Sequence, residues 1–209
     1  MKQISVELLQ KVFPKSNIAL VNELVPYFRE YLPHFLIDSP LEICHFLAQA
    51  AHETDSFNTL TEYASGAAYE GRKDLGNVQK GDGILFRGHG IFQDTGRKNH
   101  FLAGEAILNH EWFGDDRLIF KNNVVLKVPV LLATPRWSVA SACFYWNRHN
   151  LSSLCVLDTQ KVIIRRLIKG VWVKYECSPI EAITRKINGG INGFEHRKAN
   201  YEKLNIALL

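Results

Sequence analysis

The chain has 209 residues, 46% of them hydrophobic and 22% charged, with a formal net charge of +4. That is the balance of an ordinary globular protein, long enough for one domain with a full core or for two lobes sharing a cleft. So mild a positive charge does not point to nucleic acid, and four cysteines without a C-x-x-C pair exclude a disulfide scaffold.

The opening stretch, "MKQISVELLQKVFPKSN", has no continuous apolar run and no small-residue cleavage site, so it is a poor signal peptide. Synthesis in the cytoplasm is expected. "NIALVNELVPYFREYL" places Ile18, Val21, Val25, Phe28 and Leu32 on one helical face, with Pro26 a candidate kink. A start signal follows at "SPLE". Ser39 is a good N-cap, Pro40 suits the first helical position and Glu42 completes a capping box. The helix then runs through "LEICHFLAQAAHE", with Cys44 read as a small buried hydrophobe, and ends near Glu53, because "TDS" favours caps and turns.

From 63 to 99 the chain becomes glycine-rich, too much so for a stable helix. It reads as loops and short strands, with "ILFRGHGIF" a candidate strand pair. Long irregular segments inside compact domains tend to carry function. Helical patterns resume near 100 and continue through "PVLLATPRWSVASACFYWNR", where Cys143 is again read as buried. "VVLKVPVLLA" is broken by Lys127 and Pro129 and is too short to span a bilayer, so no stable membrane insertion is expected. In "TQKVIIRRLIKGVWVKYE" two β-branched runs flank Lys169-Gly170, the pattern of a hairpin, and it carries Lys161, Arg165, Arg166, Lys169 and Lys174. The chain ends with a helix, an Asn/Gly turn and a last helix carrying Phe194, Tyr201, Leu204 and Leu208 on roughly one face.

Several chemistries are absent. "HETDS" fails the H-E-x-x-H zinc pattern at Ser56, no glycine loop fits a nucleotide, and no G-x-S-x-G elbow occurs. His52 alone reads as a hydrogen-bonded structural residue. What remains is carboxylates beside a polar, glycine-lined loop. Glu53 sits at a helix C-terminus, where the dipole and partial burial favour the protonated form, as a general acid requires. Glu62, nine positions on, would stay ionised in a wetter setting and serve as a general base. Two surface glutamates account for the same letters, so spacing alone leaves both readings open.

Five segments, in order, change that balance: "FLAQAAHETDSF", "YEGRKDLGN", "GDGILFRGHGIFQDTGRKNH", "YWN" and "ITRKINGGINGFEHR". Together they resemble glycoside hydrolase family 19, the chitinase family that also includes many bacteriophage endolysins, over roughly residues 41 to 205. The small single-domain phage lysins are the nearer type. The resemblance implies a mostly α, α+β lysozyme-like fold over residues 1–209, with two helical lobes around a glycan cleft and a small β-hairpin. The basic hairpin at 156–179 reads as an insertion, either a solvated surface or a contact to an anionic wall.

The implied reaction is inverting hydrolysis of β-1,4 bonds next to N-acetylglucosamine or N-acetylmuramic acid, without metal or cofactor. By motif, Glu53 is the general acid, Glu62 the general base and Thr95 the hydroxyl that helps hold the attacking water. Gln93, Asn99, Asn188 and Arg197 match polar cleft residues, and Tyr69, Phe92 and Trp146 are candidates for stacking on sugars, Trp146 less so than for core packing. Inversion requires the carboxyls about 6.5 to 9.5 Å apart. Glu70 competes with Glu62 for the base. Two departures stand out: His89 where the family usually has Arg, and Asp94 before Thr95, which adds a charge near the water.

The expected protein is thus a peptidoglycan-cutting endolysin. It acts as a monomer on wall glycan strands once the membrane is permeabilised, with no nucleic-acid partner. The same features suit a secretion-system toxin. The alternatives are a chitinase, or a glycan-binding relative with weak turnover.

Overall fold

The computed structural model describes residues 4–157 and 159–208. Its helices are α1 (Val6–Val12), α2 (Ile18–His34), α3 (Pro40–Glu53), the single-turn α4 (Asp82–Leu85), α5 (Arg97–Leu108), the single-turn α6 (Val124–Lys127) and α7 (Pro135–Arg148). A hairpin of β1 (Val162–Ile168) and β2 (Val171–Cys177) follows, then α8 (Pro179–Asn188) and α9 (Phe194–Leu208). The expectation of a mostly helical chain with one small hairpin is met.

The centre of the molecule is α3. Ser39 and Glu42 form the capping box read from the sequence, worth about 1 kcal/mol, with Pro40 at the first turn. Eight consecutive residues, Cys44 to Ala51, are buried, so the middle of this helix has no solvent face and only its first and last turns are partly exposed. Ala48, Ala50 and Ala51 let neighbours come close, while Phe46 and Leu47 each contribute about 1.5–3 kcal/mol by burial. The principal neighbour is α9, where Tyr201 stacks on His45 at 4.2 Å and Leu204 and Leu208 are also buried. Polar residues in so apolar a helix need partners, and Gln49 finds one in the Thr184 hydroxyl of α8, 3.1 Å away.

On α2, Val21, Val25, Phe28 and Leu32 are buried as expected, but Ile18 is half exposed, because the first turn projects past the core. The helix continues through Pro26 as one element. Cys44 and Cys143 are fully buried thiols. Trp146 is also fully buried, stacked on Phe92, so it packs the core and cannot meet a sugar.

The hairpin follows its sequence closely. Ile168 pairs with Val171 across Lys169 and Gly170, both at positive φ, the two-residue turn that matches strand twist. The glycine-rich region departs from expectation. Ile84 and Leu85 belong to α4, and the only pairing recorded there among the described residues is isolated bridges from His89 to Thr61 and to Asp94. Asp82 explains the difference. It is buried, accepts from the Val78 and Gln79 amides and pairs with Arg97, so the local polar groups are satisfied without a ladder.

Candidate active site

A cleft of about 620 Å³ opens where α3 surfaces. Glu53, the last residue of α3, lines one side, with Ile187 and Asn188 from the end of α8 and Asn192 from the α8–α9 connection. The irregular segment supplies Thr61, Glu62, Tyr69, Gln93 and Thr95.

Glu53 is held by side chains. Arg197 of α9 donates to Glu53 Oε1 at 2.5 Å and to Gln49 Oε1 at 2.6 Å. Residues 49 and 53 are four apart, so both acceptors share one face of α3. Arg197 is fully buried, and its planar fork spans that face. This corrects two expectations. Arg197 is not a cleft residue for sugar hydroxyls, because it has no exposed surface. The helix-end field is not the only charge acting on Glu53 either, because the Arg197 guanidinium touches one of its oxygens. That contact leaves Oε2 for the cleft.

Immediately beyond Glu53 the chain reverses through three consecutive left-handed residues, Asp55, Ser56 and Phe57, at φ of 50°, 59° and 61°. Each costs about 1–2 kcal/mol in a non-glycine residue. The Thr54 hydroxyl donates to Ala50 O and accepts from the Phe57 amide. Phe57, fully buried against Phe13 and Phe28, anchors the turn. This reversal brings residues 59–62 back over the cleft.

Glu62 is held mainly by backbone. Its amide donates to Gly88 O, and the Gly88 amide donates back to Glu62 Oε2 at 2.9 Å. The Tyr69 hydroxyl donates to Oε1 at 2.8 Å. Glu70, its competitor, faces elsewhere, with its two oxygens accepting the Gly81 and Gly83 amides. It is a loop fastener outside the cleft lining.

Thr95 Oγ1 donates to Gln93 O at 2.9 Å, so its only hydrogen is committed and its lone pairs remain to accept from a water. Gln93 lines the cleft with its backbone at φ 52° and its Nε2 donating to Gly90 O. Asn99 is exposed and donates to Thr95 O. It braces the threonine loop from outside the residues that line this cleft. Tyr69, Phe92 and Asn188 line the cleft.

The two departures have distinct fates. His89 is buried, and its Nδ1 lies 2.9 Å from His100 Nε2, while His100 Nδ1 lies 2.9 Å from Gly96 O. A carbonyl only accepts, so His100 carries its proton on Nδ1 and takes the His89 Nδ1–H at Nε2. Burial pushes His89 down to about 4 and His100 to about 3, so the pair is neutral at neutral pH. Histidine here cannot act as the charged partner that arginine would be. Asp94 is pushed up to about 7 by burial, against the Ser141 hydroxyl and Arg148. Its added charge is therefore only partly present at neutral pH.

Sequence reasoning missed His52, Tyr63, Arg72 and Asn192 in the lining. His52 bonds His196, Nδ1 to Nδ1, at 2.8 Å, the structural role expected of it. Its ring also fills the space a Cβ at Gly193 would need, and Gly193 sits at φ 68°, so this turn accepts only glycine. Asn192 flanks that turn, and the "INGGING" run was the available signal for it.

No family model matches the chain. A glycosyl hydrolase family 19 domain-containing protein of Haemophilus influenzae is 27% identical over 143 residues, 68% of this chain. The chain spans about half, 52%, of that relative's length. Chitinase C from Streptomyces griseus superposes with a TM-score of 0.59 at 18% identity, over 98% of this chain and 92% of that one. A second bacterial family 19 chitinase gives 0.59 and 18%, over 98% and 94%. At these identities the likeness is one of fold, and the lysozyme-like architecture expected from the sequence is the one observed.

Proposed function

From a chain homologous to glycoside hydrolase family 19 in sequence and sharing its fold, we propose a glycoside hydrolase that cuts β-1,4 bonds by an inverting acid/base mechanism. The observation that carries this reading is the pair of carboxylates on one cleft, each anchored by a different kind of partner. Arg197 ties up Glu53 Oε1 as an acceptor, so a proton on this carboxyl resides on Oε2, where it can pass to the leaving glycosidic oxygen. Glu62 accepts two hydrogen bonds that hold its orientation, and takes the proton of a water that also donates to Thr95 Oγ1. Gln93 and Asn188 supply amides for acetamido and hydroxyl groups, and Phe92 and Tyr69 supply ring faces.

The substrate we propose is peptidoglycan, cut between N-acetylmuramic acid and N-acetylglucosamine during host lysis. The protein acts as a monomer on the wall after the membrane has been permeabilised. The net charge of +4 and the basic hairpin support an anionic wall as target. A chitinase is the second reading, favoured by the chitinases that share the fold. Reducing-end release from purified peptidoglycan and from chitin oligomers, wild type against Glu53→Gln, tests both. Release from peptidoglycan by wild type alone supports the lysin. Release from chitin only makes it a chitinase. Equal release by the variant removes Glu53 as the acid, and binding without release leaves the non-hydrolysing relative.

A further inference from the structure

A second cleft, about 850 Å³, shares the α8–α9 turn with the first. Ile187, Asn188 and Asn192 face the carboxylates, whereas Lys186, Gly189, Gly190 and Ile191 face the second cleft. Aromatic contacts link the two. Phe92 lines the first cleft and packs on Tyr145, and Tyr145 packs at 4.2 Å on His149, which lines the second.

The chemistry of this second cleft is lopsided. Arg165, Arg166, Arg185 and Lys186 line it, and no acidic side chain among the described residues does. Only Arg185 has an ion-pair partner among those residues, Glu181 at 2.7 Å. Tyr175 lies beneath Arg166 and Arg185, with guanidinium carbons 4.4 and 5.2 Å from its ring centre, which holds both cations in place. Arg165 sits directly opposite Lys174 in the ladder, and like charges so placed are destabilising. Beside them Trp172 and Leu167, also cross-strand partners, are 61% and 56% exposed.

The position of the cleft narrows the ligand. Five consecutive residues of β1, Ile163 to Leu167, line it, but only Trp172 of β2 does. It therefore runs along the edge of β1 that the two-stranded sheet leaves unpaired, where an extended peptide can add its own backbone hydrogen bonds.

We propose that this cleft binds the carboxylate-bearing peptide stems of the same glycan strand whose sugars occupy the first cleft. The inference rests on the peptidoglycan reading and deepens it. Chitin is neutral and has no stems, so this cleft selects wall glycan over chitin. The cationic lining meets the stem carboxylates, and Trp172 and Leu167 meet its short aliphatic side chains.

The test compares wild type with Arg165→Ala/Arg166→Ala on two substrates: peptidoglycan strands with intact stems, and the same strands stripped of stems by an amidase. The expected result is a KM raised about tenfold on stem-bearing strands, with kcat unchanged there and both constants unchanged on stripped strands. Equal losses on both substrates, or no loss on either, would overturn the proposal. Calorimetric binding of a soluble, stem-bearing muropeptide separates this failure from failure of the hydrolase reading. Binding by wild type that the double variant loses supports the stem site even if neither cleaves. Absence of binding, or equal binding by both, overturns it, as does tighter binding of a phosphate-rich wall polymer than of the muropeptide. If circular dichroism shows the hairpin of the double variant unfolded, Lys186→Gln on α8 replaces it, with weakened muropeptide binding expected and unchanged binding contradicting the proposal.

Discussion

Glu53 and Glu62 face one cleft from two kinds of scaffold. Glu53 ends a helix whose middle eight residues are all buried, and its anchor, Arg197, lies 144 residues away in sequence. Glu62 lies in an irregular segment, and its anchors, Tyr69 and Gly88, lie 7 and 26 residues away. The first is fixed by a buried charge, so it is rigid but costly to disturb. The second is fixed by neutral donors, so each contact is individually modest. The consequences of substitution should differ accordingly.

The largest effect belongs to Glu53→Gln. Glutamine still accepts from Arg197 but has no proton to give and no charge to balance the buried guanidinium, so kcat should fall about 10²–10⁴-fold and the melting temperature should fall with it. Next is Arg197→Met. It removes a buried cation whose partners, Gln49 and Glu53, are then stranded, and should cost about 3–5 kcal/mol in urea unfolding as well as activity. On the other scaffold, Tyr69→Phe removes one donor from Glu62 and should lower kcat about tenfold without a comparable loss of stability. If Tyr69→Phe destabilised the fold as much as Arg197→Met, the contrast between the scaffolds would fail.

The titrations behind the site sharpen the comparison further. Asp94 is raised to about 7 from the unfolded value of about 3.9. The folded chain keeps this proton between pH 4 and 7 while the unfolded chain has lost it, so the stabilisation is full below about 4 and gone above about 7. His52 and His89, each lowered to about 4, act in the opposite sense. Their contribution is full above the unfolded value of about 6.5 and is lost as pH falls towards 4. Asp94→Asn should therefore raise the melting temperature at pH 8 and leave it unchanged at pH 4. A difference equal at both pH values would contradict the assignment. The smallest effect is at Ser56→Gly, which should stabilise by up to about 1 kcal/mol by relieving a left-handed backbone.

Much of this was legible locally. The Ser39–Glu42 box, the Lys169-Gly170 turn and the end of α3 at Glu53 each follow from residues within four positions of one another. The clustering of Glu53, Glu62, Gln93, Thr95 and Asn188 on one cleft follows the resemblance. What the sequence did not disclose depends on distant partners. Arg197 reads as a polar helix residue until α9 lays it along α3. Asn99 bonds the Thr95 carbonyl, a contact that its letter alone does not announce. Residues 84 and 85 read as strand because the buried Asp82–Arg97 pair that organises them spans 15 positions.

In the proposed mechanism Glu53 and Glu62 act on opposite faces of one sugar ring. The anomeric configuration of the newly formed reducing end, followed by proton NMR in the first minutes of hydrolysis, tests it most directly. Attack by a water held at Glu62 and Thr95 predicts the α anomer from a β-1,4 bond. Initial release of the β anomer would contradict this mechanism, because retention requires a covalent intermediate, on a carboxylate or on the sugar's own acetamido group, in place of direct attack by water.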